Sequence, residues 1–149
     1  MIEFSIPGKP QGKGRPKFYR RGKHVGTYTP EKTVIYENLI QEMAEEAIKD
    51  LGDGIELEEI YYEALQVDIK MYFEPPKAMS KKNRAYALNN EIYHIKKPDI
   101  DNVIKSILDA LNKVTFHDDS QVVRLNAGKY YSTEPRVDVI ISVYESWAN

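Results

Sequence analysis

The sequence predicts an α/β (α+β) fold: a single mixed β-sheet with two main helices packed on it, in the order β-α-β-α-β-β. Three observations carry that prediction. Two long segments repeat apolar residues at helical spacing, and four shorter ones alternate or run apolar as strands do. The 149 residues hold no internal repeat, low-complexity tract or long linker. One domain over residues 1–149 is therefore expected, long enough to bury a core without staples.

The first strand is "IEFSIPG", Ile2 to Gly8, which alternates. The Gly- and Pro-rich run behind it predicts an irregular loop. "YTPEKTVIYENLIQEMAEEAIKD" predicts the first helix, with Thr29 as N-cap and Pro30 at the first helical position. Ile35, Leu39, Met43 and Ala47 form one apolar row, and Tyr36, Ile40, Ala44 and Ile48 the next. The glutamates cover the outer face. "ALQVDIKMYFE" is the second strand, with Leu65, Val67, Ile69 and Met71 on one face, ended by Pro75 and Pro76. "SKKNRAYALNN" is a short polar helical turn at best. "DIDNVIKSILDALNKV" is the second helix, its core face marked by Val103, Ile104, Ile107, Leu108 and Leu111. "VVRLNAGKYYS" and "RVDVIISVYES" read as two antiparallel strands joined by a turn near Thr133 to Pro135.

Composition narrows the function. There is no cysteine, which excludes disulfides and thiolate metal sites and fits a reducing cytoplasm. "MIEFSIPGKP" lacks a signal-peptide core, and no run of about 18 apolar residues exists. The expectation is a soluble cytoplasmic protein with no membrane partner. The net charge of -2 hides an asymmetry. Lys9 to His24, "KPQGKGRPKFYRRGKH", holds seven Lys or Arg and no acid, leaving 14 basic against 23 acidic residues elsewhere. Such a patch fits phosphate-bearing partners, although a charge run also serves as a plain solvated loop.

Opposed to it stand the acids. Asp99 and Asp101, in "KKPDIDN", flank the start of the second helix, and Asp118 and Asp119 follow in "FHDDSQV". An N-cap accounts for one of the first pair, and an Asx-type turn for the second pair. Lys105 and Asp109 continue the Asp101 row, which makes an ordinary i,i+4 ion pair one reading of them. Clustered carboxylates beside a basic patch also suit a hard divalent ion working on phosphate. A helix of 12 to 14 residues is roughly 20 Å long, so Asp119 is expected at the far end from Asp101, unless a neighbouring chain or a folded-back turn completes the cluster. His117 could act as a base, and Phe18, Tyr19 and Tyr28 could stack on bases or anchor the loop.

"KKPDIDNVIKSILDALN" followed by "FHDDSQV" resembles the RusA family of Holliday junction resolvases, of prophage type. "IPGKPQGKGRPKF" with "TYTPEKTVIYE" is similar to the N-terminal half of its longer members, so the resemblance runs from about Ile2 to Tyr144. It implies a homodimer that resolves four-way DNA junctions by paired incisions in recombination and repair. It implies Mg²⁺ as cofactor, with Mn²⁺ a candidate substitute, and no small-molecule cofactor. The family's essential acids fall on Asp99, Asp101 and Asp119, which would hold the metal, and its catalytic lysine on Lys105. The expected DNA contacts are Lys9, Lys13, Arg15, Lys17, Arg20, Arg21, Lys96 and Lys97. Two departures stand out: Pro98 replaces an arginine run before the first acid, and Pro75 to His94 is longer than in the shorter members. A broader branched-DNA nuclease and a non-catalytic nucleic-acid-binding module are the competing functions.

Overall fold

The computed structural model describes residues 1–51 and 54–145. The elements run β1 (Ile2–Pro7), β2 (Lys17–Arg21), β3 (His24–Tyr28), α1 (Glu31–Asp50), α2 (Gly54–Tyr62), β4 (Leu65–Phe73), α3 (Lys81–Leu88), α4 (Ile100–Leu111), β5 (Val122–Tyr131) and β6 (Arg136–Val143). A 3-10 turn at Asp119–Gln121 precedes β5. The mixed α+β class is the one expected.

The main sheet has the order β1-β6-β4-β5. β6 is antiparallel to both β1 and β4, while β4 and β5 are parallel. Alternation works as anticipated: Ile2, Phe4 and Ile6 of β1, Leu65, Val67, Ile69, Met71 and Phe73 of β4, and Val137, Val139 and Ile141 of β6 are buried. α1 packs over β1 and against α4, which also touches β5. Tyr36, Ile40 and Ala44 of α1 and Val103, Ile107, Ala110 and Leu111 of α4 close the core. The larger of these side chains each contribute about 1.5–3 kcal/mol when fully buried, which binds the two helices to the sheet.

Five expectations are corrected. The last two strands do not pair with each other, because β4 lies between them. β4 buries every second residue, and the central place pairs both of its edges in the ladder. Residues 132–135 are long enough to step across its end, since four residues reach roughly 13 Å and two strand spacings are about 10 Å. Secondly, the basic run is not irregular throughout: β2 and β3 form a separate two-stranded ribbon turned at Gly22, whose φ is 60°. Thirdly, α1 begins at Glu31 with Pro30 in the N-cap place and no side-chain cap, so Thr29 does not cap it. Fourthly, α2 was not anticipated; its Ile60 is fully buried. "SKKNRAYALNN" forms a true helix, α3, because the Ser80 hydroxyl accepts the Asn83 N–H at 3.1 Å. Ser146, the last residue of the final predicted strand, lies outside the described residues.

The sheet has two functional ends. Pro7, Phe73, Tyr131 and Arg136 mark one end, and Ile2, Leu65, Val122 and Val143 the other. The basic segment leaves β1 at the first end. The Lys129 ammonium donates there to the carbonyls of Lys96 and Pro98, so α4 also begins there.

Candidate active site

Asp99 occupies the N-cap position of α4, with φ -66° and ψ 146°, yet its carboxylate makes no capping hydrogen bond. Only its carbonyl is used by the helix, accepting the Val103 N–H at 3.2 Å. Asp101 follows in the first turn, and both side chains are exposed. They line a groove of about 910 Å³ together with Lys9, Lys13, Arg15, Lys32 and Lys97. Acids and bases far apart in sequence thus share one cleft.

Two glycines and one asparagine build that cleft. The Lys13 N–H donates to the Asn102 carbonyl at 3.4 Å, and the Asn102 amide donates back to the Lys13 carbonyl at 3.3 Å. Gly12 lies so close that a Cβ there would come within 2.3 Å of Asn102 Nδ2. The Gly14 N–H donates to the Thr33 hydroxyl at 2.9 Å, and a Cβ on Gly14 would stand 2.5 Å from that oxygen. The run "GKG" therefore lies flat against α4 on one side and the first turn of α1 on the other. Arg15 continues outward, exposed.

Asp109, two turns along α4, is the electrostatic anchor. Its carboxylate accepts Lys13 Nζ at 2.6 Å and lies 3.3 Å from Lys105 Nζ. Partial burial raises the Asp109 pKa, but the hydrogen bonds and charges of Lys13 and Lys105 outweigh it and hold the acid below its ordinary value. The hydrogen bond to Asp109 is also the main cause that raises the Lys13 pKa. Glu37 adds a second carboxylate 3.7 Å from Lys13. Lys13 is thus neutralised within the protein, whereas Lys105 keeps an exposed side chain one turn beyond Asp101.

Lys129 supports the other wall. Besides its two carbonyl acceptors it stands 5.2 Å from the centre of the Phe73 ring. Burial lowers its pKa, and the Asp99 charge opposes that shift. Lys96 and Lys97 project from the segment it secures and are exposed, as are Lys9 at the groove's edge and Lys17, Arg20 and Arg21 on the ribbon.

Asp119 is not part of this cleft. It opens the 3-10 turn before Val122, at the opposite end of β5 from Lys129. The seven residue steps from Val122 to Lys129 span about 23 Å of strand. Among the described residues no group of three or more acids or histidines could hold a metal ion. Asp118 is occupied locally: it accepts the Ser120 N–H at 3.1 Å, its own N–H donates to Gln121 Oε1 at 2.9 Å, and the Ser120 bonds hold its pKa below the ordinary value. His117 lies in the same place, its N–H donating to the Tyr61 carbonyl and its ring 3.4 Å from Lys113 Nζ.

Residues 7–142 match the family model described as endodeoxyribonuclease RusA. The chain belongs to the RusA family. A Bacillus subtilis (strain 168) protein called uncharacterized protein YqaN is 34% identical over 142 residues, covering 94% of either chain. Membership makes this protein an endodeoxyribonuclease by family.

RusA-family nucleases are generally divalent-metal dependent, and the groove offers two carboxylates of such a donor set. Asp99 and Asp101 offer hard oxygen atoms, exposed and with no protein cation among their ion pairs in the described residues. Mg²⁺ takes one or two carboxylates and completes its octahedron with water and substrate phosphate, so two acids suffice for a start. Asn102, Gly12, Gly14, Thr33, Asp109 and Lys129 are the residues that inspection of the sequence did not assign to the site. The one available signal was the pair of glycines around Lys13 in a basic run, since a glycine there marks close backbone approach.

Proposed function

We propose that this RusA-family chain is a Holliday junction resolvase: a homodimer that hydrolyses phosphodiesters in opposing strands of a four-way DNA junction, in recombination and repair. The observation that supports it best is Asp99, a helix-capping position whose carboxylate is left uncommitted beside Asp101 in a basic groove. A pure binding module gains nothing from two bare carboxylates facing a polyanion, because they repel it.

Asp99 and Asp101 would hold Mg²⁺, with Mn²⁺ as substitute, and the bound ion supplies an activated water and charge stabilisation at the phosphate. Lys105, the exposed cation one turn along, stabilises charge developing on the phosphate oxygens. Lys9, Arg15, Lys96 and Lys97 grip phosphates along the cleft, and Lys17, Arg20 and Arg21 extend the contact along the ribbon. Lys13, satisfied by Asp109 and Glu37, serves to hold the loop down.

A second subunit accounts for Asp119. Val123 to Ala127 of β5 are exposed, with Val123 at 58% and Leu125 at 40% of their surface accessible. β5 runs from the Asp119 end to the Lys129 end. An antiparallel, isologous contact along this edge buries those apolar side chains. It also directs Asp119 of one protomer towards the groove of its partner, so each site draws acids from both chains. Two equivalent sites across a two-fold axis suit two equivalent strands of a junction.

The test is a nicking assay. Wild type and Asp101→Asn are offered a synthetic four-way junction, a fork and a linear duplex, with Mg²⁺ and with chelator. Paired symmetric cuts confined to the junction, absent with chelator and in the variant while junction binding persists, are expected. Cuts in every branched substrate would make it a broader branched-DNA nuclease. Tight binding with no cut by wild type would overturn the enzymatic reading.

A further inference from the structure

Between Pro75 and Pro98 the chain carries six Lys or Arg against one Glu, a second basic run apart from the first. Its two ends return to the sheet and enclose a cavity of about 520 Å³, which shares Lys9 and Lys97 with the groove. The floor is aromatic. His94 lies face to face with the buried Phe73, ring centroids 3.9 Å apart and planes 4° from parallel, and Tyr131 meets it edge-on at 5.7 Å. Lys9, Lys77, Lys96 and Lys97 also line it, against a single lining carboxylate, Glu74.

His94 Nδ1 is buried and has no hydrogen-bond partner. Burial, and then the charges of Lys129, Lys9 and Lys96, keep the imidazole pKa below its ordinary value.

We propose that this cavity is a nucleotide subsite, in which an unpaired nucleotide of the DNA stacks on the His94 ring and has its phosphate held by the lining lysines. The occupant follows from the DNA-cleaving function proposed above and from the chemistry of the walls. Aromatic floors with a cationic rim take single-stranded nucleotides, and the volume lies in the range of ligand cavities. A base already unpaired costs least to bring in, and a branch point supplies one. Since the cavity adjoins the groove through Lys9 and Lys97, the subsite would set which phosphate lies at Asp99 and Asp101.

Pentathymidylate, titrated without divalent ion, tests this. The ¹H–¹³C signals of the three histidines are followed, and affinity is measured by anisotropy. The His94 signal is expected to shift by ring current and saturate with the binding curve. His94→Ala should weaken binding about tenfold, the scale of one lost stack. His94→Phe should recover part of that loss, and Lys77→Ala should weaken binding severalfold. Native His24 and His117 signals in each variant confirm the fold. A bound oligonucleotide that leaves the His94 signal unmoved, or equal affinity in His94→Ala, would overturn the subsite. Binding through His94 by a protein that cuts no junction would instead refute the nuclease function and leave the subsite standing. Junction cutting with His94 unmoved would do the reverse.

Discussion

Replacing Gly12 with alanine probes how the basic segment is held on α4. The new Cβ would stand 2.3 Å from Asn102 Nδ2 and 3.0 Å from its Cγ, where ordinary contact begins at 3.4 Å. About 1 Å must therefore be found, and both ways of finding it break something. If the Asn102 amide swings away, its 3.3 Å bond to the Lys13 carbonyl is lost. If the backbone lifts, the Lys13 N–H and the 2.6 Å Lys13–Asp109 contact stretch as well. Overpacking of this kind costs about 1–3 kcal/mol, and the smaller unfolded-state entropy of alanine offsets roughly 0.4–1 kcal/mol of it. The expected net loss is about 1–2 kcal/mol, or about 2–8 °C in Tm at this chain length. Thermal melts of Gly12→Ala, Asn102→Ala and the double variant measure it. Removing the amide makes room for the methyl, so Gly12→Ala should cost about 1 kcal/mol less in the Asn102→Ala background. Strict additivity in that cycle would refute the packing account, and with it the reason for glycine at position 12.

Other outcomes follow from the same geometry. Asp109→Asn should lower stability by about 1 kcal/mol at neutral pH, a charge-assisted bond discounted because the Asp109 and Lys13 side chains are 21% and 30% accessible. The folded Asp109 pKa lies below its ordinary value, so its contribution is full above the unfolded pKa and is lost as pH falls through the folded one. Denaturant melts across acid pH should show the gap between wild type and Asp109→Asn closing; a constant gap would contradict the ion pair. Arg15→Ala should reduce the slope of log affinity for DNA against log salt by about 0.9, while Lys13→Ala lowers stability and leaves that slope close to wild type. Leu125→Asp should leave the melt of the protomer nearly unchanged, give monomers in sedimentation and abolish junction cutting; a cutting monomer would remove the shared-acid site. Ser80→Ala should cost about 1 kcal/mol through the lost α3 cap, seen as faster amide exchange from Lys81 to Leu88.

Local order determined much of this protein in the sequence itself. The alternation of Leu65, Val67, Ile69 and Met71 and the helical rows of α1 and α4 are properties of neighbouring residues, so the elements and their buried faces could be read directly. The same holds for the pair Asp99 and Asp101, which one helix start keeps together, and for the family resemblance carried by those segments. Ile35 shows the limit within one helix: it continues the apolar row yet is 60% exposed, because α1 there overhangs the groove and not the sheet.

Tertiary structure decided what distant segments do to one another. Whether β5 pairs with β6 or with β4 depends on which strand most needs both edges covered, and no turn signal encodes that. Asp109 looked like a partner of Lys105 alone, and only the packed loop brings Lys13 to it across 96 positions. An N-cap was expected of one of Asp99 and Asp101, and only the folded chain shows that Asp99 takes the cap position with its carboxylate making no capping hydrogen bond. The separation of Asp119 from Asp101 followed from helix length already in the sequence, but its place at the bare edge of β5 came from the sheet order. Short-range geometry repeats every two or 3.6 residues and is written in composition; long-range contacts are set by the competition of all apolar surfaces for one core, which only the folded chain resolves.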